Sequence, residues 1–175
     1  AAADAPLANA VEQMDRATVR RLLERPTDVN ASQPDGMTAL HWAAYQDDIE
    51  IARLLVRAGA NVNAANRYGV TPLSLACTNG NGAMVEMFLK GGADPNAPLP
   101  GGETPLMTAS RTGNLAAVKA LINHGARVEA KDDRRGQTAL MWAAAEGHAA
   151  IVQALIDADA DFKLRVPSGF SPLMF

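Results

Sequence analysis

One short pattern recurs five times along this chain at a nearly constant spacing. Each copy is a Thr or Ser, then Pro or Ala, then Leu, and the copies begin at Thr38, Thr71, Thr104, Thr138 and Ser171. Successive copies are 33, 33, 34 and 33 residues apart. A period of this length is typical of repeat proteins, in which each unit buries its apolar face by stacking on its neighbours. The sequence therefore predicts a linear array of similar units.

The opening of each unit carries the signals of a helix N-terminus. The hydroxyl can accept a hydrogen bond from a free backbone N–H, and proline fits the first helical position because no donor is needed there. The Leu comes two residues after the Thr or Ser, and an Ala follows three residues later, on the same helical face. Gly80, Gly113 and Gly147 fall where this helix should end. Each unit should therefore begin with one short helix.

The second half of each unit predicts a second helix, as in "IARLLVRAGANVNA" and "AVKALINHGARVEA". Gly59, Gly92 and Gly125 should close these helices. Helices of about ten residues are marginal alone, so each unit should depend on its neighbours. The expected buried positions are Leu54, Leu55, Val56, Met87, Phe88, Leu89, Leu121, Ile122, Leu155 and Ile156.

The 33-residue unit and openings such as "TALHWAA" and "TPLSLAC" resemble the ankyrin repeat family over nearly the whole chain. The resemblance implies an all-α solenoid of helix-turn-helix units with β-hairpin finger loops between them. Residues 1–175 then form a single domain. Its parts are an N-terminal capping repeat at 5–33, repeats at 34–66, 67–99, 100–133 and 134–166, and the start of a truncated fifth repeat at 167–175.

The N-terminal segment fits the same template in degraded form. One period before Thr38, "APLANAV" places Pro6, Leu7 and Ala10 in the Pro, Leu and Ala positions. A capping repeat has one face in water, which agrees with the charged second half of this unit. The opening "AAADAPLANA" lacks Met and resembles a mature N-terminus left after cleavage, which favours an exported (periplasmic or extracellular) protein over a cytoplasmic one. A cloned fragment would look the same.

The C-terminal segment "SPLMF" reads as the opening of another unit. Leu173 takes the core position, and Phe175 takes the position held by Trp42 and Trp142. We expect the aromatic side chains at these positions to lie in the core or close to it. Because a repeat stack needs a polar terminal cap, we expect the natural protein to continue past Phe175, or a partner to cover this end.

Three departures from the repeat pattern predict local differences. Asp47 and Asp159 stand where other units have glycine, and Asp tolerates the left-handed conformation less well, so these turns should be weaker. One extra residue in "KDDRRGQ", between Lys131 and Gln137, should lengthen the finger loop that contains it and reshape its tip.

Composition excludes several classes of partner and of site. The formal net charge of -3 gives no footprint for nucleic acid. No apolar run approaches the roughly 18 residues that a membrane span requires. The single cysteine, Cys77, excludes an intramolecular disulfide and a multi-thiolate zinc site, and its position predicts a buried small side chain.

No catalytic or metal-binding constellation is recognisable, so we expect no enzyme activity, no metal and no cofactor. The resemblance implies that His41, in "TALH", braces the start of its helix by bonding to neighbouring backbone. His124 and His148 should be solvated or capping residues. The segment "LPGGE" at 99–103 lacks the lysine and spacing of a phosphate-binding loop and reads as a finger turn.

In the ankyrin family a concave groove is lined by the finger tips and the exposed side of the first helices. Its tyrosines and arginines are residue types that carry interface energy, and we expect Tyr45, Tyr68 and Arg111 to form a patch for an acidic partner with an apolar anchor. By position, the partner-binding candidates are Met37, Tyr45, Gln46, Arg67, Tyr68, Asn79, Arg111, Thr112, Arg134, Arg135 and Glu146.

Three functions remain open at this point. The leading one is a protein-protein interaction module without chemistry of its own, which rests on fold-level analogy. A second is the N-terminal targeting or scaffold part of a longer polypeptide whose enzymatic or signalling domain lies beyond residue 175. A weaker third is small-ligand binding in the groove. The partner and the oligomeric state are not specified by the sequence.

Overall fold

The computed structural model describes residues 5–166, 169, 171 and 172, and over that part the chain forms ten short α-helices in five pairs. The first helices contact each other in one layer and the second helices, from α4 onward, in another. The helices are α1 (Pro6–Glu12), α2 (Arg16–Leu23), α3 (Ala39–Tyr45), α4 (Ile49–Arg57), α5 (Pro72–Asn79), α6 (Gly82–Lys90), α7 (Pro105–Thr112), α8 (Leu115–Asn123), α9 (Ala139–Ala145) and α10 (Ala149–Asp157).

The first helices begin at the predicted caps. The side chains of Thr38, Thr71, Thr104 and Thr138 each accept a hydrogen bond from the backbone N–H three residues later. The apolar face is also as predicted, since the Leu and Ala positions of α3, α5, α7 and α9 are at most 1% exposed. The all-α repeat fold is thereby confirmed.

The second helices have N-caps that the repeat pattern alone did not indicate. Asp15, Asp48, Asn81 and Asn114 each accept a bond from the backbone N–H three residues later. Asp and Asn are strong N-cap residues, so this signal was present in the sequence. The corresponding residue of α10 is His148, which makes no side-chain cap bond.

The turns between paired helices adopt the left-handed conformation at Asp47 as well as at the glycines, with φ of 58° at Asp47 and 70° at Gly80. Asp159 likewise has a φ of 65° in the turn after α10. The two Asp positions therefore take the conformation that their place in the repeat predicts, with the steric cost of a Cβ atom.

Each finger loop is closed at its base by a backbone hydrogen bond, and a second backbone bond lies within the turn. The donor and acceptor of the bond at the base are Gln33 and Met37 in the first finger, Asn66 and Val70 in the second, Leu99 and Glu103 in the third, and Asp132 and Gln137 in the fourth. "LPGGE" is thus a finger turn, and the loop at 132–137 is one residue longer, as predicted. Within the described residues these hairpins are too short to count as strands, apart from one antiparallel bridge between Ser32 and Thr38.

A ladder of asparagines joins the loops that follow the second helices. The Asn63 amide donates to Gly92 O at 2.8 Å and accepts from the N–H of Asp94 at 2.8 Å. Asn30 and Asn96 repeat this pair of bonds in their own units. Glu129 holds the fourth position and accepts from Asp161 N at 2.9 Å, but its carboxylate has no N–H to donate.

The second-helix stripe is buried at its centre and partly exposed at its edges. Leu55, Phe88, Leu121 and Leu155 are completely buried, and Leu89 is 4% exposed. The other predicted members, Leu54, Val56, Met87, Ile122 and Ile156, are partly buried and pack against the core.

The two terminal units are described unequally. In the N-terminal capping repeat, Leu7 and Ala10 are buried as their positions predict. In the C-terminal segment that opens at Ser171, Ser171 is buried, while Leu173 and Phe175 lie outside the described residues.

Candidate binding surface

The groove face consists of the finger tips 34–36, 67–69, 100–102 and 133–136 and of the ends of the first helices at 45–46, 78–79, 111–112 and 145–146. Tyr45 and Tyr68 lie on it with 60% and 62% of their surface exposed. The Tyr45 ring meets the edge of Trp42, with 5.7 Å between ring centroids. The guanidinium of Arg67 lies 6.0 Å from the centroid of the Tyr68 ring. Both tyrosines are therefore exposed and supported by a neighbour.

Arg67 links two finger tips. Its Nη2 donates to the carbonyl of Pro34, and its backbone N–H donates to Asp35 O at 3.0 Å. These bonds hold the tip that carries Tyr68 against the preceding finger. Tyr68 is thus presented on a tethered loop, which lowers the ordering cost of binding.

Arg111 is half-buried and is engaged within the chain. Its Nη2 lies 3.4 Å from Glu103 Oε1, and its guanidinium lies 5.9 Å from the centroid of Trp142. Glu103 also accepts from the hydroxyl of Thr108 at 2.8 Å. Arg111 is therefore positioned with the third finger and α9, and it offers a partner only part of its donor capacity.

Three predicted contact residues serve the stack itself. The side chains of Gln46, Asn79 and Thr112 occupy equivalent positions and donate back to carbonyls of the preceding unit, those of Glu12, Ala44 and Cys77 respectively, at 2.8–3.1 Å. These carbonyls lie at helix ends, where no intrahelical donor is available. The three side chains thus have a structural role that sequence reasoning missed. Glu146 holds the same position in the fourth unit, is exposed, and has no N–H to donate.

Met37 is a correction to the predicted contact surface. Its side chain is only 8% exposed, and its Sδ accepts from Asn66 Nδ2 at 3.4 Å. The position before the helix cap is turned toward the core, so Met37 has little surface to offer a partner.

The exposed finger tip at Arg134 and Arg135 is organised by a buried carboxylate. Asp132 is 8% exposed and accepts from the backbone N–H groups of Arg134 at 2.9 Å, Arg135 at 2.6 Å and Gln137 at 3.0 Å. A cavity of about 260 Å³ lies beside this tip. Its lining residues are Pro100, Gly101, Glu103, Asp132, Arg134, Arg135, Gln137 and Trp142.

His41 has the structural role that the resemblance implied. The backbone N–H of Thr38 donates to Nδ1 at 3.2 Å, so Nε2 carries the proton and donates to Val70 O at 3.0 Å. The ring therefore joins one helix start to the next finger. Burial lowers the pKa of His41, although its bond to Val70 opposes that shift.

The remaining histidines and the cysteine lie away from the finger tips. His148 Nε2 is 3.1 Å from Arg111 O, and His124 Nε2 is 3.7 Å from Glu86 Oε2. Cys77 is completely buried, and burial raises the pKa of its thiol to about 12. A thiol with that pKa is an inert core group at neutral pH.

A second cavity lies on the opposite side, among the second helices, and nothing in the repeat pattern indicated it. It has a volume of about 480 Å³ and lies between α8 and α10, with Ile122 and Ala154 among its apolar residues and Lys119 and Asp157 among its charged ones. At the neighbouring contact, Gly82 of α6 lies so close to α8 that a Cβ there would come within 2.8 Å of Ala116 Cβ. The position equivalent to Gly82 in α8 is Leu115, which is too large for such an approach.

The described part of the chain contains neither a membrane-spanning helix nor a cluster of metal ligands. No helix in it has the length and apolarity needed to cross a membrane. No cluster of three or more His, Cys, Asp or Glu side chains suited to a metal ion occurs among the described residues.

Comparison with known proteins gives one family match. A family model described as ankyrin repeats (3 copies) matches residues 7–98 and 84–166. The two segments overlap and extend over 7–166. A search of curated proteins found no match to this chain.

Proposed function

Because the chain belongs to the ankyrin repeat family, we propose that it binds a partner protein through its groove face and has no catalytic role. Ankyrin repeats are generally protein-protein interaction modules, and their domains are typically non-catalytic. The groove face is the proposed site because its finger tips and helix ends carry exposed aromatic and basic side chains on a framework fixed by inter-repeat bonds.

The exposure of Tyr45 and Tyr68 carries this proposal. Most large apolar side chains among the described residues are buried, with Met14 and Phe162 as the other exposed ones, whereas these two rings keep more than half of their surface in solvent. Tyrosine buries a large area at a low entropic cost, which makes it a frequent hot-spot residue. Each ring also rests against Trp42 or Arg67, so little order is lost on binding.

The charges near the rings suggest the chemistry of the partner. Arg67, Arg134 and Arg135 are exposed on finger tips, and guanidinium groups pair well with carboxylates. An acidic segment with an apolar residue that meets a tyrosine would match this surface. Tyr45, Arg67, Tyr68, Arg134, Arg135 and Glu146 remain the proposed contacts, with Arg111 contributing the part of its guanidinium that faces solvent.

Affinity capture from the native source, followed by titration of the purified partner, tests the proposal. A Tyr45→Ala/Tyr68→Ala double variant should lose about tenfold or more in affinity, as truncated hot-spot aromatics do. Its helical circular dichroism and melting midpoint should stay close to those of the parent, because both rings are exposed. Phe162→Ser, at an exposed aromatic outside the groove face, is the matched control.

Unchanged affinity in the double variant would remove the tyrosines from the interface. The mass of the native protein decides separately whether this module acts alone or as the targeting part of a longer polypeptide. Melting-temperature shifts with a metabolite panel test small-ligand binding in the groove.

A further inference from the structure

Two buried polar atoms beside the fourth finger have no hydrogen-bond partner among the described residues. They are Trp142 Nε1, a donor, and Gln137 Oε1, an acceptor. Both residues line the 260 Å³ cavity between the third and fourth fingers. Leaving a buried donor or acceptor unpaired costs about 1–3 kcal/mol, so this arrangement needs an explanation.

The equivalent tryptophan in the first unit shows what such an indole normally bonds. Trp42 Nε1 donates to Gln33 Oε1 at 2.7 Å. The Gln33 amide nitrogen in turn donates to Asn9 Oδ1 at 2.8 Å and Glu12 Oε2 at 2.6 Å. A carboxamide thus fills the place beside Trp42, accepting with its oxygen and donating with its nitrogen.

No side chain among the described residues accepts a hydrogen bond from Trp142 Nε1, although Gln137 lines the same cavity. The finger position that corresponds to Gln33 is Asp132, because each donates the backbone bond that closes its finger. The Asp132 carboxylate accepts from three backbone N–H groups of its own loop, which holds it within the finger. The fourth finger, which is one residue longer, therefore has Asp132 where the first finger has Gln33. It lacks the carboxamide that accepts the hydrogen bond of Trp42.

We propose that this cavity receives a primary carboxamide, the side chain of a Gln or Asn from the bound partner. Its oxygen accepts from Trp142 Nε1, and its nitrogen donates to Gln137 Oε1, in the manner of Gln33 beside Trp42. This inference rests on the proposed function, since the amide comes from a protein that docks on the groove face.

The same groups disfavour a carboxylate in this cavity. A carboxylate oxygen could accept from Trp142, but its second oxygen would face the carbonyl oxygen of Gln137. The lining residues carry two carboxylates, Glu103 and Asp132, and two guanidinium groups, so their formal charges cancel and the discrimination rests on the Gln137 oxygen.

The two indole N–H signals in a ¹H–¹⁵N spectrum provide the test, because the chain has two tryptophans. Trp42→Phe and Trp142→Phe variants assign the signals. Propionamide, titrated into the full chain, should shift the Trp142 signal saturably in the millimolar range that so small a ligand allows. The Trp42 signal should stay in place, since Gln33 already occupies that position.

Propionate at matched ionic strength is the control ligand and should shift the Trp142 signal by less than a fifth as much. Gln137→Leu should weaken propionamide binding severalfold and leave circular dichroism unchanged. Equal responses to amide and acid, equal responses of both indoles, or no response of Trp142 would each overturn the proposal. So would a large shift of the Trp142 signal caused by Gln137→Leu alone, which would show that the two side chains already bond each other.

The propionamide titration and the tyrosine variants test the two proposals separately. If propionamide fails while the tyrosine variants weaken partner binding, the groove binds a partner without a carboxamide in this cavity. If propionamide binds and the tyrosine variants have no effect, the carboxamide site is supported and the tyrosines are not part of the interface.

Discussion

The units that open at Thr71 and Thr104 differ from the unit that opens at Thr138 in their polar bonds, although all three share the same helix pair. The first two have reciprocal capping boxes, whereas Thr138 makes a single cap bond. Their second helices are capped by Asn81 and Asn114, while α10 lacks a side-chain cap bond. The stack is therefore tied most firmly in its middle.

The three units also differ in the cavities that lie beside them. Both cavities described above border the unit that opens at Thr138, one at Trp142 and the other at α10. Its link to the preceding unit has Glu129 in place of an asparagine, and its final turn has Asp159 in place of a glycine. The comparison indicates that this unit has fewer bonds of its own and more sites at which a partner could supply them.

The largest loss of stability is expected from a substitution that creates a cavity in the middle of the stack. Leu106→Ala should lower the free energy of unfolding by about 2–5 kcal/mol, because Leu106 is 1% exposed between neighbours on both sides. Leu140→Ala, at the equivalent position of the unit that opens at Thr138, should cost less, because that unit has fewer polar bonds of its own and can open locally. Urea unfolding of both variants measures the difference. Equal losses, or a negligible loss at Leu106, would contradict the comparison.

A smaller effect is expected in the asparagine ladder. Asn96→Ala removes two inter-repeat bonds and should cost about 1–2 kcal/mol, since each bond contributes roughly 0.5–1.5 kcal/mol. Glu129→Ala removes a single bond and should cost about half as much. Chemical unfolding of the pair measures both values. A larger cost at Glu129 would show that the last link is not the weaker one.

The repeat pattern predicted most of the helical framework, because each helix depends on residues within its own unit. Thr71 as a cap, Leu73 in the core and Gly80 in the turn follow from local rules that the structure confirms. Asp47 was predicted from position alone and has the expected left-handed φ.

The binding surface was less predictable, because it depends on contacts between units. Whether Asn79 faces a partner or bonds the preceding helix is decided by a distance of 2.8 Å to Ala44 O, which the sequence does not contain. Met37 likewise has the residue type of an interface but a buried position. The lack of a partner for Trp142 could have been suspected only by aligning Asp132 with Gln33.

A stabilising substitution should reduce the difference in stability between the middle units and the unit that opens at Thr138. Glu129→Asn restores the missing donor, and its amide can reach the carbonyl of Asp159 as Asn96 reaches Gly125 O. We expect a gain of about 0.5–1 kcal/mol in the free energy of unfolding. Glu129→Gln, which is also neutral but one methylene longer, is the control for loss of charge. An equal gain from both variants would attribute the effect to charge and not to the ladder.

The smallest effect is expected at mildly acidic pH, in the first unit. Burial holds the pKa of His41 below its ordinary value of 6.5, so the unfolded chain binds more protons and stability falls as the pH drops below about 6.5. For one group this amounts to less than about 1 kcal/mol between pH 7 and pH 6. Ser74 and Met107 hold the equivalent positions in the middle units and do not titrate in this range. Unfolding of parent and His41→Asn at both pH values isolates the contribution, because His124 and His148 are common to the two proteins. An unchanged pH slope in His41→Asn would mean that the neutral imidazole bridge between Thr38 and Val70 does not carry the acid sensitivity.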